Sequence, residues 1–125
     1  RVEDILGALD GEASQNGTRT GTDAAFASAT AALIRTKSPT SLKIVLEQMR
    51  RGSTLDFTQC MRTEFRIVSR VVQEHDLYEG IRAVIIDKDL APRWQPPTLA
   101  AVSAADVEGH FAPLAHELEL PMSRT

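Results

Sequence analysis

The sequence predicts an all-α fold of five or six helices, and three observations predict it. Apolar residues recur at i, i+3, i+4 and i+7 in one segment after another. Helix-start signatures punctuate the chain at sharp boundaries, with Ser38 before Pro39 and Ser103 three residues before Asp106. No segment alternates apolar and polar residues far enough to make a half-buried strand, and the VIID run at 84–87 falls inside a helical pattern.

The first helix places Val2, Ile5, Leu6 and Leu9 on one face and is expected to stop at Gly11. Residues 10–21 (DGEASQNGTRTG) have the composition of a flexible loop. From Thr22 to about Lys37 a second helix aligns Phe26, Ala29, Thr30 and Leu33, with alanines elsewhere that permit close approach of a neighbour. Ser38 caps a third helix, Pro39 occupies its first position, and Leu42, Val45, Leu46 and Met49 form its stripe. Arg50 and Arg51 complement its dipole, and Gly52 suits a left-handed close.

Thr54 opens the longest segment, with Phe57, Met61, Phe65, Val68 and Val72 at helical spacing and Cys60, Ile67 and Val71 broadening the stripe. At Asp76 another helix is expected, Asp76 and Glu79 forming a capping box and Leu77, Tyr78, Ile81, Val84 and Ile85 facing inward. Gly80 inside that helix marks a place where something packs close to the backbone. Pro92, Pro96 and Pro97 stiffen an extended connector, which Trp94, the only tryptophan, is placed to pin. Ser103 and Asp106 cap a last short helix with Val102 and Val107 as its staple, and the tail from Pro113 is expected to fray.

The 125 residues read as one helical domain, 1–125. They begin with Arg1 and not Met, so the expectation is a piece cut from a longer protein. A net charge of only −3 disfavours nucleic acid as a partner, and no apolar run approaches the roughly twenty residues that span a bilayer. With Cys60 the sole cysteine, an internal disulfide and four-thiolate metal sites are excluded, and a reducing, cytoplasmic compartment is expected. Arginine outnumbers lysine 11 to 3, a bias of GC-rich coding that hints at a bacterial source.

Chemistry is sparse on this reading. Cys60 lies on an apolar face, where a lone cysteine is an inert core residue, and His75, His110 and His116 have no metal-site spacing, so no metal is expected. Glu74, Asp76 and Glu79 form the obvious carboxylate cluster, but capping accounts for two of them and Glu74 has no identifiable partner. Lys88 and Arg82 are the cations placed to clamp a phosphate, although each is more often a solvated residue.

Two motifs add what the residues alone do not. SPTSLK at 38–43 and EGIRAVIIDKDLAPRW at 79–94 resemble the C-terminal region of the 3-hydroxyisobutyryl-CoA hydrolases, a branch of the crotonase (enoyl-CoA hydratase/isomerase) superfamily. The resemblance runs from VEDIL to the DVEGHF helix and is weakest at 10–21. It implies that the parent is an enzyme that hydrolyses an acyl-CoA thioester in valine catabolism, two backbone N–H groups holding the thioester oxygen and acidic side chains assisting water. Those elements belong to an N-terminal core that this chain is expected to lack, so no catalytic residue is assigned here and the piece alone should be inactive.

The implied partners are that core, acyl-CoA through it, and further copies of the protein. No separate cofactor is implied, because coenzyme A is part of the substrate. One residue carries over: Lys88 is the nearest match to a lysine that lies near the CoA phosphates or adenine in related hydratases. The alternatives are the same part of an enoyl-CoA hydratase or isomerase, or an independent helical interaction module. The compartment is cytoplasmic, or mitochondrial for a eukaryotic source.

Overall fold

The computed structural model describes residues 1–14 and 21–120. Six α-helices occur among them: α1 (Val2–Ser14), α2 (Gly21–Arg35), α3 (Pro39–Gly52), α4 (Phe57–Val71), α5 (His75–Ile81) and α6 (Ala104–Phe111). A π-helical turn, Arg82–Ile86, continues α5, and a 3-10 turn, Leu99–Ala101, precedes α6. About 70% of the chain is helical and the described residues contain no strand, as the apolar spacing predicts.

Two small apolar clusters hold these helices. In one, Val2 and Leu6 of α1 meet Ala31 of α2, with Leu9, Ile34, Leu42, Leu46 and Leu99 packed around them. In the other, Ile44 of α3, Ile67 of α4, Val102, and Val107 and Phe111 of α6 pack together, with Val71 alongside. Arg51 lies over the Phe111 ring, 4.2 Å from its centroid, and bonds Glu47 at 2.8 Å and Glu108.

Local signals are where sequence and structure agree best. Ser38 accepts from the Ser41 amide at 3.2 Å, and Ser103 with Asp106 forms a reciprocal capping box. A second box, Asp56 with Gln59, starts α4 two residues later than Thr54 suggests. Trp94 pins the connector as expected, its Nε1 donating to the carbonyl of Thr36 at 2.9 Å, and a β-carbon at Gly80 would lie 3.3 Å from Trp94 Cη2.

Several expectations are corrected. Helix α1 runs through Gly11 to Ser14, and the remainder of the expected loop, 15–20, lies outside the described residues, as does the tail 121–125. Gly52 stays within α3 and is followed by Ser53 at φ −62°, so the helix does not close left-handed. Residues 113–120 are tied down rather than frayed: Arg66 bonds Glu117 at 2.9 Å and Arg70 bonds the carbonyl of Pro113 at 3.3 Å.

The largest correction concerns which apolar faces are buried. Phe26 is 70% exposed and Leu33 is also outside, whereas Ala27 and Ala31 are buried where α1 packs on α2. Pro39 and Ile44 are the buried residues of α3 and Ile67 that of α4, while Val45, Met49, Phe57, Val68 and, just past α4, Val72 are exposed. Leu77, Tyr78, Ile81, Val84 and Ile85 are exposed too, and only Ala83 of that segment is buried. These helices carry more apolar circumference than the chain has surface to cover, so the side facing a neighbour is buried and the other is not.

Because Ala31 sits at 1% exposure in a close helix contact, replacing it overpacks that contact. Ala31→Leu is expected to lose about 1–3 kcal/mol in urea denaturation followed by circular dichroism. Phe26→Ala should stay within about 0.5 kcal/mol of the parent. Equal losses from the two variants would contradict the assignment of the buried face.

Candidate functional site

The carboxylates expected to cap α5 do something else. Its N-cap position is Glu74, with no side-chain capping bond. Asp76 instead joins three segments: Oδ2 accepts from Ser38 Oγ at 2.5 Å, and Oδ1 accepts from the Gln95 amide at 2.8 Å and contacts His75 Nδ1 at 3.0 Å. The start of α3, the start of α5 and the proline-rich connector thereby meet at one group.

Glu79 serves an adjacent junction built on Arg82. The guanidinium forks onto Glu79 at 2.9 and 2.7 Å, reaches Asp87 at 2.8 Å and Asp89 at 2.7 Å, and bonds the carbonyl of Ala91 at 3.4 Å. All five N–H groups of the arginine are thus engaged, a pattern that lysine cannot reproduce. The Arg93 amide also donates to Glu79, at 2.7 Å. The Arg82 guanidinium, helped by that amide, holds the Glu79 carboxyl down at about 2.

This clasp shapes the segment bearing Lys88. The π turn closes with the Asp87 amide on the carbonyl of Arg82 at 2.8 Å, and the Leu90 amide reaches back to Ala83 at 3.0 Å. Between them Lys88 and Leu90 both adopt φ 54°, a left-handed conformation that non-glycine residues seldom take and that costs roughly 1 kcal/mol or more each. Lys88 is exposed at the apex of this segment. Arg82, considered as a phosphate clamp from sequence, is committed to the fold.

Beside this junction lies an open cavity of about 720 Å³ between α3 and α5. Leu42, Val45, Leu77, Ile81 and Ile85 make it mainly apolar, and Glu74, Asp76 and His110 bring polar groups to it. Glu74, without an identifiable partner in the sequence, meets His110 at 2.9 Å, and His110 is buried. Their separation of 36 positions left no local signal to find the pair. Cys60 is half-buried on α4, His116 is exposed, and no group of three or more potential metal ligands occurs among the described residues.

The enoyl-CoA hydratase/isomerase family model matches residues 1–111. The chain belongs to the enoyl-CoA hydratase/isomerase family. Within this family it is similar to the mitochondrial 3-hydroxyisobutyryl-CoA hydrolase of Gallus gallus, 44% identical over 71% of this chain and 23% of the relative. It is also similar to small ribosomal subunit protein mS47 of Arabidopsis thaliana, 38% identical over 98% of this chain and 31% of that protein. A crystal structure of a carnitinyl-CoA dehydratase from Mycobacterium thermoresistibile matches with a TM-score of 0.78 and 38% identity, over 94% of this chain and 31% of that one. The chain thus spans less than a third of each of these proteins.

The Arg82 clasp gives a signed pH dependence. Glu79 is held below its ordinary range of about 4.5, so its contribution is complete above that value and fades as pH falls toward about 2. Thermal melts of Glu79→Gln are expected to show a lower melting temperature at neutral pH and a shallower fall between about pH 5 and pH 2 than the parent. An unchanged acid limb would show that Glu79 does not carry this linkage.

Proposed function

We propose that this chain is the C-terminal helical part of a 3-hydroxyisobutyryl-CoA hydrolase, an enzyme that cleaves an acyl-CoA thioester in valine catabolism. The single observation carrying this reading is the 44% identity to the hydrolase of Gallus gallus, and hydrolases of the same name from Homo sapiens and Dictyostelium discoideum match at 42% and 36%. In this role the helices pack on the protein's own catalytic core and help close the CoA site. The apolar residues left outside by this fold, Val45, Met49 and Val68 among them, are suited to such packing. Coenzyme A is part of the substrate, and no separate cofactor is invoked. The protein works in the cytoplasm of a bacterium or in the mitochondrion of a eukaryote, and further copies of it are among its partners.

Within this reading Lys88 contacts the CoA phosphates. It is exposed on a segment whose flanking carboxylates, Asp87 and Asp89, are engaged by Arg82. A surface charge contact of this kind is worth up to about 1 kcal/mol, or about fivefold in affinity.

A second reading, favoured by the carnitinyl-CoA dehydratase match over 94% of the chain, makes the parent an enzyme that hydrates or dehydrates an acyl-CoA. Assaying the longer protein on 3-hydroxyisobutyryl-CoA, by thiol release, and on crotonyl-CoA separates the two. Thiol release should dominate, and preferential hydration of crotonyl-CoA would overturn the hydrolase reading. In the same protein Lys88→Ala is expected to raise KM about two- to fivefold with kcat little changed. The 125-residue chain alone should release no thiol above the uncatalysed rate.

A further inference from the structure

His110 is 5% exposed, and its ring bridges two elements. Nδ1 lies 2.8 Å from the main-chain carbonyl oxygen of Asp106, one turn earlier in α6. Nε2 lies 2.9 and 3.0 Å from the two carboxylate oxygens of Glu74, in the turn between α4 and α5. A carbonyl oxygen only accepts, so Nδ1 carries a hydrogen and donates it. A neutral ring in that tautomer presents a bare lone pair at Nε2, and an ionised carboxylate presents only lone pairs in return. Two acceptors at this separation repel, so the contact contains a proton.

Placed at Nε2, that proton completes an imidazolium that donates from both nitrogens, one to the Asp106 carbonyl and one to the Glu74 carboxylate. Glu74 is 43% exposed and keeps water on its charge, while the ring is enclosed.

The other charged groups around the pair have hydrogen-bond partners of their own, and among them the Asp106 carboxylate also feels the charge of the ring. From α6, Asp106 gives its side chain to Ser103. From α4, Arg66 and Arg70 bond the carbonyls of Phe111 and His110 at 3.2 Å each. From α5, His75 and Asp76 contact each other, and Asp76 also takes Ser38 and Gln95.

We propose that the proton between His110 and Glu74 is a pH-sensitive latch, tying the last turn of α6 to the α4–α5 turn at the wall of the 720 Å³ cavity. As pH rises and the ring loses its Nε2 hydrogen, two acceptors face each other and the wall loosens. The tie is complete while the ring is charged and is lost toward higher pH, the opposite direction from the Glu79 linkage.

The test is nitrogen-15 NMR of the imidazole rings from about pH 5 to about pH 9, with amide exchange across α6 corrected for base catalysis. Both ring nitrogens of His110 should be protonated at the acidic end. Loss of the Nε2 hydrogen should accompany about tenfold faster exchange in the last turn of α6. In Glu74→Gln the amide N–H can donate to the lone pair of a neutral ring, so exchange should be flat across the same range. A bare Nε2 at the acidic end overturns the proposal, and so does a Glu74→Gln profile that matches the parent. The ring-nitrogen measurement on the unmodified protein decides the matter alone if the variant does not fold.

Discussion

The path of the chain from Glu79 to Arg93 depends on one guanidinium. Arg82 gathers Glu79, Asp87, Asp89 and the carbonyl of Ala91 around a π-helical turn, and two non-glycine residues are held left-handed within that grip. The grip then extends outward. The Glu79 carboxylate takes the Arg93 amide, and Trp94 beyond it covers Gly80 and reaches Thr36 at the end of α2. Asp76, three residues before Glu79 in the chain, closes the same junction from the side of α3. With no large side chain fully buried among the described residues, the fold relies on such polar joints for geometry that its two small apolar clusters do not fix.

Features carried by neighbouring residues were the legible ones. Ser38 with Pro39, and Ser103 with Asp106, work through contacts three residues apart, and such spacing is visible in the chain itself. The close packing at Gly80 was legible because glycine in a helix interior needs a reason. Asp76 and Glu79 have capping-box spacing, yet Ser38, Gln95 and Arg93 outcompete the helix start for their oxygens. The buried faces were misread because periodicity reports that a helix is amphipathic, not which of two apolar flanks has a neighbour. The alanines of α2 were legible as permitting a close neighbour, and Ala31 is where α1 makes that approach.

The candidate site divides in the same way. Lys88 and Arg82 could be picked out as cations near a helix end, but the role of Arg82 as a clasp needed the distances. His110 and Glu74 were both noticed and never joined, since nothing local links residues 36 positions apart. Family membership follows from a match over residues 1–111, while the relatives matched there include proteins named as a hydrolase, a dehydratase and a ribosomal protein. This helical region is a frame by which the family is recognised, and family membership by itself does not fix an activity.

Helix α6 shows how unevenly such a frame is built. It has eight residues, too few to persist alone in water, and two of its final carbonyls are satisfied by Arg66 and Arg70 on α4 rather than by groups of its own. Its cap is local, but its closing turn is borrowed from a helix some forty positions earlier. Truncating either arginine therefore removes a hydrogen-bond donor from the end of α6 while leaving the sequence of α6 itself untouched.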